Sequence, residues 1–134
     1  MLVKEYFALL QQALAKSPFT CSQQVSFDAR SDYIGVVRGI LIFEDESTLH
    51  FTECVNTGHQ VQKLKYRYQY QSADGITIFR YDNAPHHGSV PTFPHHKHVG
   101  VGELPVESPA PGLQEVVDEI TGLILTQMSK GENG

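Results

Sequence analysis

Between Gln23 and Asp82 apolar and polar residues alternate along the chain. The alternation breaks at four short polar points: Ser31-Asp32, Asp45-Glu46, Asn56–His59 and Asp74-Gly75. A period of two marks strands with one buried face, so strands are predicted over residues 23–29, 33–43, 48–55, 60–71 and 76–82. Such short connections join antiparallel neighbours, and Asp74-Gly75 is the strongest hairpin signal among them. On either side the period changes. Leu2, Tyr6, Leu9 or Leu10, Ala13 and Leu14 recur at helical spacing over residues 2–15, and Ser17-Pro18 closes that helix. A second amphipathic helix is expected to start at Ser108-Pro109, with Ser as cap and Pro in the first turn. It carries Leu113, Val116 or Val117, Ile120, Leu123 or Ile124 and Met128, and ends at Lys130-Gly131 before a polar tail, 129–134.

The tightest hairpins these turns allow fix a register, because residues directly opposite share a face. Tyr70 then faces Phe79, Tyr68 faces Tyr81, Gln69 faces Arg80 and Arg67 faces Asp82. Phe51 faces Leu64, Leu49 faces Tyr66 and His50 faces Lys65. Ile42 faces Leu49, Ile40 faces Phe51 and Arg38 faces Glu53, while Phe27 faces Val36 and Ala29 faces Ile34. One face collects Phe27, Val36, Ile40, Ile42, Leu49, Phe51, Leu64, Tyr66, Tyr68, Tyr70, Phe79 and Tyr81. The other collects His50, Thr52, Lys63, Lys65, Arg67, Gln69, Arg80 and Asp82. Arg38 and Glu53 read as a cross-strand ion pair on the apolar side, and Gly35 and Gly39 as a bulge or bend. The expected fold is α+β in one domain of 134 residues: a five-stranded antiparallel meander with the N-terminal and C-terminal helices packed on its aromatic face. The polar face is left to solvent, a ligand or a second subunit.

Candidate chemistry concentrates just after the last predicted strand. Five of the seven histidines, His86, His87, His95, His96 and His98, lie within thirteen residues, beside Arg80, Tyr81, Asp82, Asn83 and Lys97. Pro85, Pro91 and Pro94 exclude a helix there and disfavour a sheet interior, which predicts a stiffened histidine-rich loop over 83–100. Cleaving RNA without metal needs a base for the 2′-hydroxyl, an acid for the leaving oxygen and cations for the phosphorane. Histidine titrates near neutrality and can supply both proton movers. In that scheme His86 or His87 works with one of His95, His96 or His98, Asp82 orients a histidine, and Arg80, Arg67, Lys65 and Lys97 hold phosphate. The same imidazoles could instead ligate a transition metal such as zinc or nickel in a hydrolase, although their spacing matches no established ligand pattern. A third alternative is a non-catalytic binding or assembly module whose polar sheet face pairs with a partner or forms a homodimer. No other cofactor is predicted.

Charge sharpens this only locally. The formal net charge of −5 argues against indiscriminate nucleic-acid binding, yet Lys63, Lys65, Arg67 and Arg80 form a positive strip on one sheet face. That strip suits a phosphate, a carboxylate or an RNA backbone. There is no long apolar run, so no membrane span, and the N-terminus has no signal-peptide pattern. Cys21 and Cys54 then read as reduced thiols of a cytoplasmic protein. Gly-rich phosphate loops, nucleophile elbows and paired CxxC motifs are absent from the sequence.

Tyr66-Arg67-Tyr68-Gln69-Tyr70, the Asp74-Gly75 turn, Phe79 to His87 and Phe93-Pro94-His95-His96-Lys97-His98 together resemble the TumE family. Glu53 also stands where that family tends to keep a Glu. The resemblance spans the layout of the chain: leading helix, meander, histidine segment, closing helix. It implies a toxin of a type II toxin–antitoxin system, an antitoxin partner with a helix-turn-helix domain, and action on RNA or translation.

Overall fold

The computed structural model describes residues 1–84, 95–100, 104–107 and 111–132. In chain order the elements are α1 (Val3–Ala15), β1 (Thr20–Ala29), β2 (Ile34–Phe43), β3 (Thr48–Asn56), β4 (Gln62–Gln71), β5 (Thr77–Asp82), β6 (His96–Val99), β7 (Leu104–Glu107) and α2 (Leu113–Glu132). The strands form one antiparallel sheet in sequential order, β1-β2-β3-β4-β5-β6-β7. The α+β meander is as expected, but the sheet is larger than the five strands predicted. Two short strands arise where a loop and connector were expected. β6 takes up the last histidines, and Pro105 is accommodated in β7 at the sheet's edge, where a missing N–H need not break a ladder. α2 also runs on through Lys130-Gly131 to Glu132. The expected Ser108-Pro109 cap lies outside the described residues. No helix among the described residues is long and apolar enough to cross a membrane.

Both helices pack on one face of the sheet. Val3, Tyr6, Phe7, Leu10 and Leu14 of α1 and Leu113, Val116, Val117, Ile120 and Ile124 of α2 join Leu49, Phe51, Tyr66, Tyr68, Tyr70 and Phe79 in a single core. Burying each of the large side chains contributes about 1.5–3 kcal/mol.

The register departs from expectation in three of four hairpins. Around Asp74-Gly75 it is as predicted: Arg67 opposes Asp82, Tyr68 opposes Tyr81, Gln69 opposes Arg80 and Tyr70 opposes Phe79. At the first two hairpins the connection has three residues rather than two. Arg30 N and Ser31 N both donate to Ile34 O, and Phe43 N donates to Ser47 O, with Glu46 in the left-handed region at φ 69°. Each change shifts the pairing by one, so Phe27 opposes Val37 and Leu41 opposes Leu49. The two shifts cancel beyond β2, and that strand alone is turned over.

Val37 and Leu41 are therefore fully buried, whereas Ile40 and Ile42 are 37% and 38% exposed and Val36 is only half-buried. Arg38 moves to the open face opposite Thr52, and Glu53 opposes Val37, so the expected Arg38–Glu53 pair does not form. Gly35 and Gly39 mark close approach, not a bulge. A Cβ on Gly35 would meet Phe7 and Val3, and one on Gly39 would meet the Phe51 ring.

Around the third turn, pairing resumes only at Asn56 with Gln62, and a bulge falls between Cys54 and Val55. Phe51 then opposes Tyr68 rather than Leu64. This is a slip of four residues, an even number, so Tyr66, Tyr68 and Tyr70 keep their buried face. The bulge does change Leu64, which is exposed, and Lys63, which is carried opposite Val55 on the helix side.

Candidate functional site

Two rows of register positions cross the open face at right angles to the strands. In one, Gln24, Ile40, His50, Gln69, Arg80 and His98 are successive cross-strand partners. In the next, Ser26, Arg38, Thr52, Arg67, Asp82 and His96 are. Lys65 sits one step further along, opposite Cys54. An open groove of ≈ 500 Å³ runs between the rows, lined in part by Gln24, Arg38, His50, Thr52, Arg67 and Gln69.

At the β5–β6 end of these rows Asp82 is a hub. Its Oδ2 accepts from Arg80 Nε at 2.9 Å and lies 3.3 Å from His98 Nε2, and its Oδ1 accepts from the Ala84 amide at 3.1 Å. The last bond is the Asx turn that leads the chain away from β5. The side chains of Arg80, Asp82 and His98 are only 16%, 6% and 3% exposed. In so little water their mutual electrostatics are stronger than those of an exposed pair. Arg67, in contrast, is exposed and donates through Nη2 to Gln69 Oε1 at 2.7 Å. Lys65 and His50 are exposed on the same face.

The remaining candidates are dispersed. Lys97 opposes Tyr81 on the helix side: its Nζ binds Glu119 Oε2 of α2 at 2.7 Å and lies 4.9 Å and 4.7 Å from the ring centres of Phe79 and Tyr81. Burial works to lower its pKa, but the bonds to Glu119 and Tyr81 outweigh it and the pKa is raised. His95 also turns toward the helix side, stacked on Tyr66, with its Nδ1 3.0 Å from the Tyr66 hydroxyl. His96 holds the register position opposite Asp82. His86 and His87 lie outside the described residues. Asn83 clamps β5 to β4, accepting from Tyr66 N and donating to Leu64 O. Among the described residues no three His, Cys, Asp or Glu side chains converge on a metal-sized point.

A second polar centre lies beneath the helices. The Glu53 side chain is fully buried and accepts from the hydroxyls of Tyr6 and Tyr68, with Lys63 Nζ 3.9 Å away. Lys63 also donates to Tyr68 Oη at 2.7 Å and to the Pro111 carbonyl ahead of α2. Burial lowers the Lys63 pKa, opposed by Glu53. Burial also raises the Tyr6, Tyr66 and Tyr68 phenols, reinforced at Tyr6 and Tyr68 by the Glu53 charge and at Tyr66 by Asp82. Lys63 borders a cavity of ≈ 560 Å³ that His95, Asn83 and Gln62 also line. Glu53 was legible in sequence as a charge on an apolar face, but Tyr6 and Lys63 gave no sign of joining it. That association depends on the helix docking and on the bulge.

No curated protein and no solved structure matches the chain. A family profile described as "Toxin TumE" matches residues 10–124, which span every strand of the sheet, and the chain therefore belongs to the TumE toxin family.

Proposed function

We propose that this toxin is a metal-independent ribonuclease whose chemistry is done at the β5–β6 end of the open face. The supporting observation is the shared carboxylate: Asp82 Oδ2 accepts from Arg80, lies 3.3 Å from His98 Nε2, and Asp82 opposes Arg67 in the register. A carboxylate so placed fixes an imidazole's orientation. Arg80, Arg67 and Lys65 present cations to a phosphate across the same face.

In the proposed step a histidine takes the proton of a ribose 2′-hydroxyl. The oxygen attacks the adjacent phosphorus, the bond from phosphorus to the 5′-oxygen breaks, and a second histidine protonates that leaving oxygen. The products carry a 2′,3′-cyclic phosphate and a 5′-hydroxyl. Asp82 orients His98, and the partner histidine is His86 or His87; His95 is left out because it stacks on Tyr66 on the helix side. Lys97 is left out of the phosphate site because it is tied to Glu119 under the helix. Family membership implies an antitoxin as partner, and the proposed one carries a helix-turn-helix domain.

Expression in a bacterial host tests the reading. Growth arrest and RNA fragments ending in cyclic phosphate are expected with the wild type, insensitive to EDTA in vitro. Asp82→Asn, Arg80→Ala and His98→Ala should each lower cleavage by about 10²-fold or more per folded molecule, the folded fraction being read from urea unfolding because each change breaks a buried contact. A harmless wild type, or variants as active as it is, would end the ribonuclease reading.

A further inference from the structure

We infer that the groove between the two rows is a track for single-stranded RNA, and that Arg38, together with Arg67, is a principal backbone-binding residue in it. The choice of RNA over other polyanions rests on the ribonuclease reading. The track itself rests on separate observations.

The first is position. The turning over of β2 brings Arg38 out of the core and into the row of Thr52, Arg67 and Asp82. Neighbouring strands are about 4.8 Å apart, so Arg38 stands roughly 10 Å from Arg67 and about 14 Å from Asp82. A row of that length exceeds what one phosphate needs and suits a chain of phosphates crossing the strands toward Arg80.

The second is charge. In a protein of net charge −5, the exposed cations Arg38, Lys65 and Arg67 share this face. Asp82 is engaged by Arg80 and His98, and Asp28 at the far edge is bonded by Arg30 at 2.6 Å. A local field of this sign recruits a polyanion even when the whole molecule is acidic.

The third is lining. The groove of ≈ 500 Å³ offers the amides of Gln24 and Gln71 and the imidazole of His50, while the Gln69 amide is held by Arg67 and Thr77. An amide both donates and accepts, so it can meet unpaired base edges, which a duplex would hide. Its buried neighbour Phe51 is 3% exposed and offers no stacking platform, so hydrogen bonding and charge carry the recognition.

The test is fluorescence anisotropy with the full chain and a labelled 12-nucleotide single-stranded RNA bearing 2′-O-methyl groups, which cannot undergo 2′-hydroxyl attack. Arg38→Ala and Arg67→Ala should each weaken binding about tenfold and flatten the slope of log affinity against log salt by about 0.7. Lys4→Ala, an exposed cation on α1, should change neither. Unfolding in urea, expected to be unchanged, separates lost binding from lost structure.

Tight binding that survives Arg38→Ala overturns the track, as does a preference for duplex RNA of the same length. Binding of poly-glutamate with the same Arg38 dependence, in the absence of RNA binding, also overturns it and assigns the groove to an acidic protein partner. Arg38-dependent RNA binding without cleavage of unmodified RNA upholds the track and defeats the ribonuclease reading. Cleavage indifferent to Arg38 does the reverse.

Discussion

The hydroxyl of Tyr6, on the first helix, donates to the carboxylate of Glu53, in the middle of the sheet. Tyr68 donates to the other carboxylate oxygen, and Lys63 completes the group. A fully buried charge is tolerated only while these partners remain. Glu53→Ala leaves the Lys63 ammonium and two hydroxyls short of an acceptor and should cost about 3–5 kcal/mol. Tyr6→Phe removes one donor and should cost about 1–3 kcal/mol. Because the residues share one network, the double variant should cost less than the sum. Urea unfolding of the two single variants and the double measures all three. Additive losses would mean that Tyr6 and Glu53 act independently.

The same network sets the response to alkali. The phenols of Tyr6, Tyr66 and Tyr68 have pKa values raised above 10.0, chiefly by burial. In the unfolded chain they ionise near pH 10, so their contribution is fully present below that pH and is lost as pH rises beyond it. Lys63 works the other way. Its lowered pKa makes the folded protein bind fewer protons than the unfolded one, so its penalty eases as pH approaches 10.5. Three phenols outweigh one amine, and net stability should fall above about pH 10. Phenolate absorbance of the buried tyrosines should rise together with loss of the far-ultraviolet signal. Complete ionisation of all six tyrosines in a protein that remains folded would contradict this.

The alternation of residues was enough to predict the two helices, the antiparallel meander and the aromatic face, because burial of Tyr66, Tyr68, Tyr70 and Phe79 tolerates any even shift in register. It was not enough for β2. Val36, Val37, Ile40, Leu41, Ile42 and Phe43 are apolar on both sides of that strand, so only the connection length decides which side is hidden. Neither Ser31-Asp32 nor Asp45-Glu46 carries the Gly or Asn that would announce a three-residue loop. At the candidate site, Arg80, Asp82 and Arg67 were legible because Asp74-Gly75 fixed their register. Arg38 was hidden by the inverted strand. Lys97 was misplaced among the phosphate ligands because its segment was read as loop, although in β6 it faces the helices.

The tight approach at Gly35 gives a test of helix docking. A Cβ there would lie 2.6 Å from a Phe7 ring carbon and 2.7 Å from a Val3 methyl. Gly35→Ala should therefore destabilise the protein by about 1–3 kcal/mol through overpacking. Adding Phe7→Leu, which shortens the reach of the α1 side chain, should recover part of the loss. A neutral Gly35→Ala would show that α1 can shift without cost.

Lys97 and Arg67 should separate stability from binding. Lys97→Ala removes the Glu119 pair and the contacts with Phe79 and Tyr81, for a loss of about 1 kcal/mol, with no effect on affinity for single-stranded RNA. Arg67→Ala, which removes an exposed side chain hydrogen-bonded to Gln69, should do the opposite. Thermal melts and anisotropy on the two variants decide it. RNA affinity that follows Lys97 would put the binding surface on the helix side of the sheet.

The loop that turns β2 over can itself be probed. Glu46 is in the left-handed conformation at φ 69°, a region that costs a side-chain-bearing residue about 1–2 kcal/mol and glycine little. Glycine loses more entropy on folding, which offsets part of that gain, so Glu46→Gly should stabilise the protein by about 0.5–1 kcal/mol. Its side chain makes no contact needed by the core. Asp45 instead holds the turn, accepting from the amide and hydroxyl of Ser47. Asp45→Ala should accordingly destabilise. Urea midpoints of the two variants check both outcomes, and a Glu46→Gly variant less stable than the wild type would show that Glu46 is not left-handed in the folded protein.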